Sequence, residues 1–189
     1  MKLIRTLLVL PLFTALAAFA QVETYKIDPV HSGVSFGVRH FFTKVPGSFS
    51  KFSGTLTVDR SNLEHSSTEA SIEVASVDTK SAKRDGHLAS GDFFLTAKFP
   101  TITFKSNSWK KTGENTFDVT GDLTIKDITK SVVLKVTSLG FGPGMGGAQL
   151  SGWEGHTTVN RKDFGITYGE GMVGMDVEVT INIEAVLQK

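Results

Sequence analysis

Gly33-Val34-Ser35-Phe36-Gly37-Val38-Arg39-His40, the octapeptide GVSFGVRH, can be read in two ways. Its first five residues match G-x-S-x-G, the turn that in one large class of hydrolases presents a nucleophilic serine at the top of a sheet. Its whole length also alternates, with Val34, Phe36 and Val38 on one face and Ser35, Gly37 and Arg39 on the other. A nucleophile elbow needs a strand, a strained turn and then a helix, whereas here the alternation runs straight through the serine. The stretch is therefore a β-strand with one apolar face, and Ser35 is not assigned a catalytic role. Gly33 and Gly37 on such a strand point to a barrel corner or to close approach by another element.

The same period of two recurs along the chain, in Phe52/Gly54/Leu56/Val58, Ala70/Ile72/Val74, Phe117/Val119/Gly121/Leu123/Ile125, Val132/Leu134/Val136 and Val173 through Ile183. Shorter runs at Val22–Ile27, Ile102–Phe104 and Leu150–Val159 bring the total to about eight or nine strands, counted by the same alternation. The stretch TGDLTIKDITKSVVLKV reads as a hairpin turning near Lys126-Asp127. One segment, around residues 81–90, favours helix instead, because Ala82, Lys83, Arg84, Leu88 and Ala89 lie between Gly and Asp breakers. With no strand-helix-strand rhythm the fold class is all-β, and a set of similar strands in one small domain buries its edges by closing into an antiparallel barrel.

The first 20 residues read as a leader: Lys2 and Arg5 precede the apolar run Leu7–Ala20, which ends in Ala18-Phe19-Ala20, a small-x-small cleavage pattern. The expectation is a signal peptide over 1–20, removed on export, followed by a single domain over 22–187. With no cysteine the product is neither a lipoprotein nor disulfide-stapled. Removing Lys2 and Arg5 leaves 18 basic against 19 acidic residues, a balance that gives no support for nucleic acid as a partner.

Candidate polar chemistry is sparse. None of His31, His40, His65, His87 and His156 pairs at a chelating spacing, so no metal and no cofactor is expected. His40 shares the face of Val34, Phe36 and Val38 and is either a structural imidazole or a ligand contact. Arg84-Asp85 and Arg161-Lys162-Asp163 either hold an anionic head group or form local ion pairs. Of 14 phenylalanines, 12 lie beyond the leader, with Trp109 and Trp153; they either fill a solid core or line an apolar cavity.

Four long blocks together, YKIDPVHSGVSFGVRH, KRDGHLASGDFFLTAKFPTITFKS, VTGDLTIKDITKSVVLKV and NRKDFGI with VEVTINIEAV, resemble the YceI-like family of periplasmic polyisoprenoid- and lipid-binding proteins. The resemblance implies an elongated, lipocalin-like antiparallel barrel of about eight strands whose tunnel holds a long isoprenoid or similar amphiphile, a quinone-like one included. It implies a soluble, periplasmic carrier that is not an enzyme. The wall is expected from Val34, Phe36, Val38, Leu123, Ile125, Val177, Val179 and Ile181, with Phe94, Phe99 and Trp153 nearer the ends. Arg39, His40, Arg84 and His87 are expected at the polar head. A homodimer and a membrane protein that delivers or receives the lipid are candidate partners. Two other classes stay open: a lipid- or ester-processing enzyme, and a ligand-free structural or interaction barrel.

Overall fold

The computed structural model describes residues 22–189; the leader expected over 1–20 lies outside the described residues. In chain order the strands are β1 (Val22–Ile27), β2 (Gly33–His40), β3 (Thr43–Phe49), β4 (Phe52–Asp59), β5 (Ser67–Glu73), β6 (Val77–Asp78), β7 (Thr101–Lys111), β8 (Thr116–Ile125), β9 (Ile128–Pro143), β10 (Gln149–Asn160) and β11 (Val173–Leu187). One helix, α1 (Ala82–Leu88), lies between β6 and β7. All pairings are antiparallel, and the circuit β1-β4-β5-β7-β8-β9-β10-β11 closes because β1 pairs with β11 as well as with β4. The result is a closed antiparallel barrel, as the alternation led one to expect, with eight of the eleven strands in the ring against the eight or nine runs counted in the sequence; closure leaves the ring strands without a free edge.

The three remaining strands continue that ring upward. Both β1 and β2 lie along the same edge of β11, the first opposite Ala185–Leu187 and the second opposite Val177–Asn182. They form one line with a jog at residues 28–32. In the same way β3 extends β4 against β2, and β6 extends β5 against β3. Beyond β6 the strand pairing stops, and the chain over residues 79–100 supplies the wall before β7 begins.

α1 is too short to be stable alone, since helix nucleation is costly and short helices draw their stability from packing. Ser81 caps it, its hydroxyl accepting from the Arg84 N–H, and Ala89 N–H donates to the Asp85 carbonyl at its end. It is fastened to the strand before it: Asp85 accepts from the Thr79 N–H at 2.9 Å and from the Thr79 hydroxyl at 2.6 Å.

β3 breaks the sequence pattern because Pro46 interrupts it, and proline cannot donate to a ladder. The structure tolerates Pro46 because β3 is doubly paired only at its far end, where Ser48 and Phe49 meet β6. Val74, read as the end of an alternating run, lies instead in a single 3-10 turn. Of the two readings of Gly33 and Gly37, close approach is absent at Gly33, where a Cβ would meet nothing within 4 Å, and present at Gly37, where it would meet the Lys44 side chain at 2.7 Å. At Gly54 and Gly121 a Cβ would fall on the Glu69 and Lys105 carbonyls, and at Gly47 on the Phe36 ring.

Candidate functional site: an apolar cavity with a polar mouth

Inward side chains along the barrel do not all meet. At the lower end, where β1 begins and β11 ends, Tyr25, Leu56, Val58, Trp109, Phe117, Val119, Trp153 and Ala185 form a packed cluster. At the upper end Val34, Phe49, Val74, Val77 and Ile102 form another. Between and above them lies a cavity of about 550 Å³. That volume falls in the range of about 300–1,000 Å³ typical of small-molecule sites.

Ten of the eleven residues expected in the wall line it: Val34, Phe36, Val38, Phe94, Leu123, Ile125, Trp153, Val177, Val179 and Ile181. Phe36, Leu123, Val177, Val179 and Ile181 are only half-buried although their strands sit inside the ladder. Inward apolar side chains that stay accessible mark an unfilled interior. Phe99 does not line the cavity; its ring lies 4.8 Å from the Lys98 ammonium. The expected set omitted Ile27, Phe49, Phe52, Phe104 and Trp109, among other apolar residues that also line the wall. The alternation of β4, β7 and β8 marks several of these faces as apolar, but period two alone does not say which apolar face is left unfilled.

Of the four residues expected at the polar head, His40, Arg84 and His87 reach the cavity and Arg39 does not. Arg39 lies on the opposite face of β2, exposed, donating to the Phe41 carbonyl at 3.1 Å. Arg84 is committed to the fold, donating through Nε to the Thr79 hydroxyl at 2.7 Å and through Nη2 to the Thr79 carbonyl at 2.6 Å. His87 bonds through Nε2 to Asp92 at 2.9 Å and meets Phe93 and Tyr168 edge to face, with centroids 5.0 and 4.8 Å apart. Phe93 and Tyr168 also touch each other at 5.4 Å. These three rings bridge the helix side of the mouth to the loop between β10 and β11.

That loop is held by a residue that the sequence left ambiguous. Arg161 is 6% exposed, and its guanidinium donates to the carbonyls of Ile166, Val173 and Gly174 at 2.9–3.0 Å. Burial lowers its pKa from the usual arginine value. It neither pairs with Asp163 nor stands free; it ties both ends of the loop bearing Tyr168 and Met172 at the mouth. Deeper in, the buried Trp109 indole N–H has no acceptor among the described residues.

The hydrolase reading of Ser35 finds no support. β2 passes straight through it, and the Ser35 hydroxyl bonds to the Thr180 carbonyl at 3.3 Å across the sheet. Outside the barrel, Asp28, His31 and Glu184 gather where the β1–β2 jog meets β11. His31 Nδ1 lies 2.8 Å from Asp28 and 3.6 Å from Glu184.

The barrel has solved counterparts. BcnA of Burkholderia cenocepacia superposes with a TM-score of 0.77 at 26% identity, over 84% of this chain and 98% of that one. A polyisoprenoid binding domain from Saccharophagus degradans shares the fold at a TM-score of 0.68 and 14% identity, covering 89% of this chain and all of that one. In sequence, Protein YceI of Escherichia coli O157:H7 is 39% identical over 176 residues, 92% of each chain. A UPF0312 protein of Azotobacter vinelandii is 38% identical over 189 residues, 97% of this chain and 98% of its own. The model of the YceI-like domain matches residues 25–185, from within β1 to within β11, and the chain belongs to the YceI-like family.

Proposed function

We propose that the protein binds and carries an amphiphilic lipid with a long isoprenoid or similar apolar tail, held inside the barrel, in the periplasm after removal of residues 1–20. The observation that carries this reading is the unfilled apolar interior of about 550 Å³ opening at a mouth furnished with His40 and His87. An empty cavity of that kind forgoes the dispersion contacts a packed core would make. A prenyl tail regains them and leaves water, with a gross gain of about 0.8 kcal/mol per buried methylene. Support for an isoprenoid over another tail comes from the Saccharophagus neighbour, described as a polyisoprenoid binding domain. Binding by the tail needs no reacting group.

In this reading the ring trio of His87, Phe93 and Tyr168 frames the mouth, and His40 meets the polar head. Arg84 and Arg161 act on the ligand indirectly, by fixing the helix and loop between which the tail passes. The test is native mass spectrometry of the protein purified from the periplasm without detergent, followed by solvent extraction of whatever dissociates. A discrete prenyl or acyl species at near-stoichiometric occupancy is expected. A bare mass that persists after incubation with a lipid extract overturns the proposal.

A further inference from the structure

The tip of the β2–β3 hairpin is built against the usual rules. His40 pairs with Thr43, leaving Phe41-Phe42 as a two-residue turn. Phe41 has φ of +47°, in the left-handed region where a glycine or asparagine is the ordinary choice. Phe42 is completely exposed, with a relative accessibility of 103%. Neither ring fills the core and neither lines the cavity. The fold therefore tolerates backbone strain and an exposed aromatic at a place where glycine would be favoured on both counts.

The position of the tip suggests what it is for. Phe41 N–H donates to the Met172 carbonyl at 2.9 Å, joining the hairpin to the loop between β10 and β11. Tyr168 and Met172 on that loop are about half exposed and line the cavity mouth. Phe41, Phe42, Tyr168 and Met172 thus form an apolar rim beside the opening. Arg39 lies next to it, its guanidinium on the Phe41 carbonyl, with no carboxylate at ion-pair distance among the described residues. Lys44 follows on β3, paired with Glu178.

We infer that this rim is a membrane-docking surface, on which Phe41 and Phe42 insert into the interfacial region of an anionic phospholipid bilayer while Arg39 contacts head groups and the mouth faces the lipid. The inference rests on the carrier reading above. Aromatic side chains beside a cation suit the bilayer interface, where the ring enters the acyl boundary and the charge stays with phosphate. A second copy of the chain fits less well. Four side chains at most 150–250 Å² each, three of them half exposed, offer roughly 500 Å². A stable protein interface needs about 800 Å² from each partner. A partner seated there would also stop the mouth.

The experiment compares the full mature protein with a Phe41→Gly, Phe42→Ser double variant in flotation with vesicles of equimolar phosphatidylethanolamine and phosphatidylglycerol. Farnesol binding and sedimentation velocity are measured on both. Because glycine suits the left-handed position, the variant is expected to melt at or above the wild-type temperature. Its vesicle partitioning is expected to fall about tenfold or more, from the loss of two exposed rings. Because the Phe41 ring meets the cavity-lining His40 edge to face at 4.8 Å, a Phe42→Ser single variant that keeps this contact is measured beside the double variant, and its farnesol affinity should stay the same. Wild-type protein that does not float, or a variant that floats equally well, overturns the inference. A wild-type dimer that the variant converts to monomer also overturns it, in favour of self-association. Vesicle binding that depends on the two rings, in a protein whose cavity takes up no farnesol, would keep the docking surface and remove the carrier reading.

Discussion

The rings of Trp109 and Trp153 meet edge to face at the floor of the cavity, 5.4 Å between centroids and 84° between planes. Each packs against a further phenylalanine, Trp109 on Phe117 and Trp153 on Phe141, so the floor is an aromatic layer. The two indoles differ in one respect. Trp153 Nε1 donates to the Ser151 hydroxyl at 3.1 Å, whereas Trp109 Nε1 is buried without an acceptor.

Replacing each by phenylalanine should separate them. Trp109→Phe removes an unsatisfied donor and is expected to cost little. Trp153→Phe strips the buried Ser151 hydroxyl of its partner and should cost about 1–2 kcal/mol more in urea denaturation. Equal losses would mean that the Trp109 N–H finds an acceptor in solution. As these are the only two tryptophans in the protein, farnesol titration should also produce a saturable change in intrinsic fluorescence.

Phe36 and Val179 are cross-strand partners on β2 and β11, and both face the cavity. A carboxylate at Val179 would stand in the path of the tail. Val179→Glu is expected to fold, because the position remains half accessible through the cavity, and to lose farnesol binding by at least tenfold at neutral pH. The apolar surroundings raise the pKa of such a carboxyl, so protonation on acidification should restore part of the affinity. Unchanged uptake at neutral pH would place the ligand outside the barrel.

The barrel was legible in the sequence because closure needs only a count of alternating runs, and the ring strands carry them over most of their length. β3 was not, since Pro46 hides a strand that one-sided pairing permits. The apolar wall was legible as a face, and ten of its expected residues line the cavity, but the space itself is a property of how far apart facing side chains stop. Trp109 and Phe49 belong to the wall through packing across the barrel, which no local pattern encodes. Arg39 shows the cost of reading a motif as a unit: it stands beside His40 in sequence, and one residue of strand sends it to the opposite face.

Arg161 ties the carbonyls of Ile166, Val173 and Gly174 into one network, and its lysine analogue cannot reproduce a planar fork of donors. Arg161→Lys should therefore loosen the mouth loop as well as lower stability, and Arg161→Met should cost about 2–4 kcal/mol through three deserted carbonyls. Hydrogen exchange is the appropriate readout. Faster exchange confined to residues 165–174 in the lysine variant is expected, with farnesol release accelerated in parallel. Uniform destabilisation without a local change would show that the guanidinium supports the whole barrel rather than its mouth.

The jog between β1 and β2 is sewn to β11 at one residue. Asp28 N–H donates to the Glu184 carbonyl at 2.9 Å, and Ser32 both donates to that carbonyl and accepts from the Glu184 N–H. Over this backbone stitch lies the ion pair of His31 and Asp28, with Glu184 behind it. Hydrogen bonding to Asp28 raises the His31 pKa, and the same bond lowers that of Asp28. The histidine's contribution is therefore complete below its ordinary value of 6.5 and is lost as pH rises through the raised one. The aspartate's is complete above its ordinary 3.8 and is lost as pH falls through the lowered one. The clasp is at full strength between those ordinary values. Both groups are solvent-facing, so the effect is small and screened by salt. The melting temperature of His31→Ala should fall below wild type across that window and converge with it toward alkaline pH, with the gap shrinking in high salt. A gap that stays constant with pH would assign His31 to packing alone, and leave the backbone stitch through Ser32 and Glu184 to hold the jog.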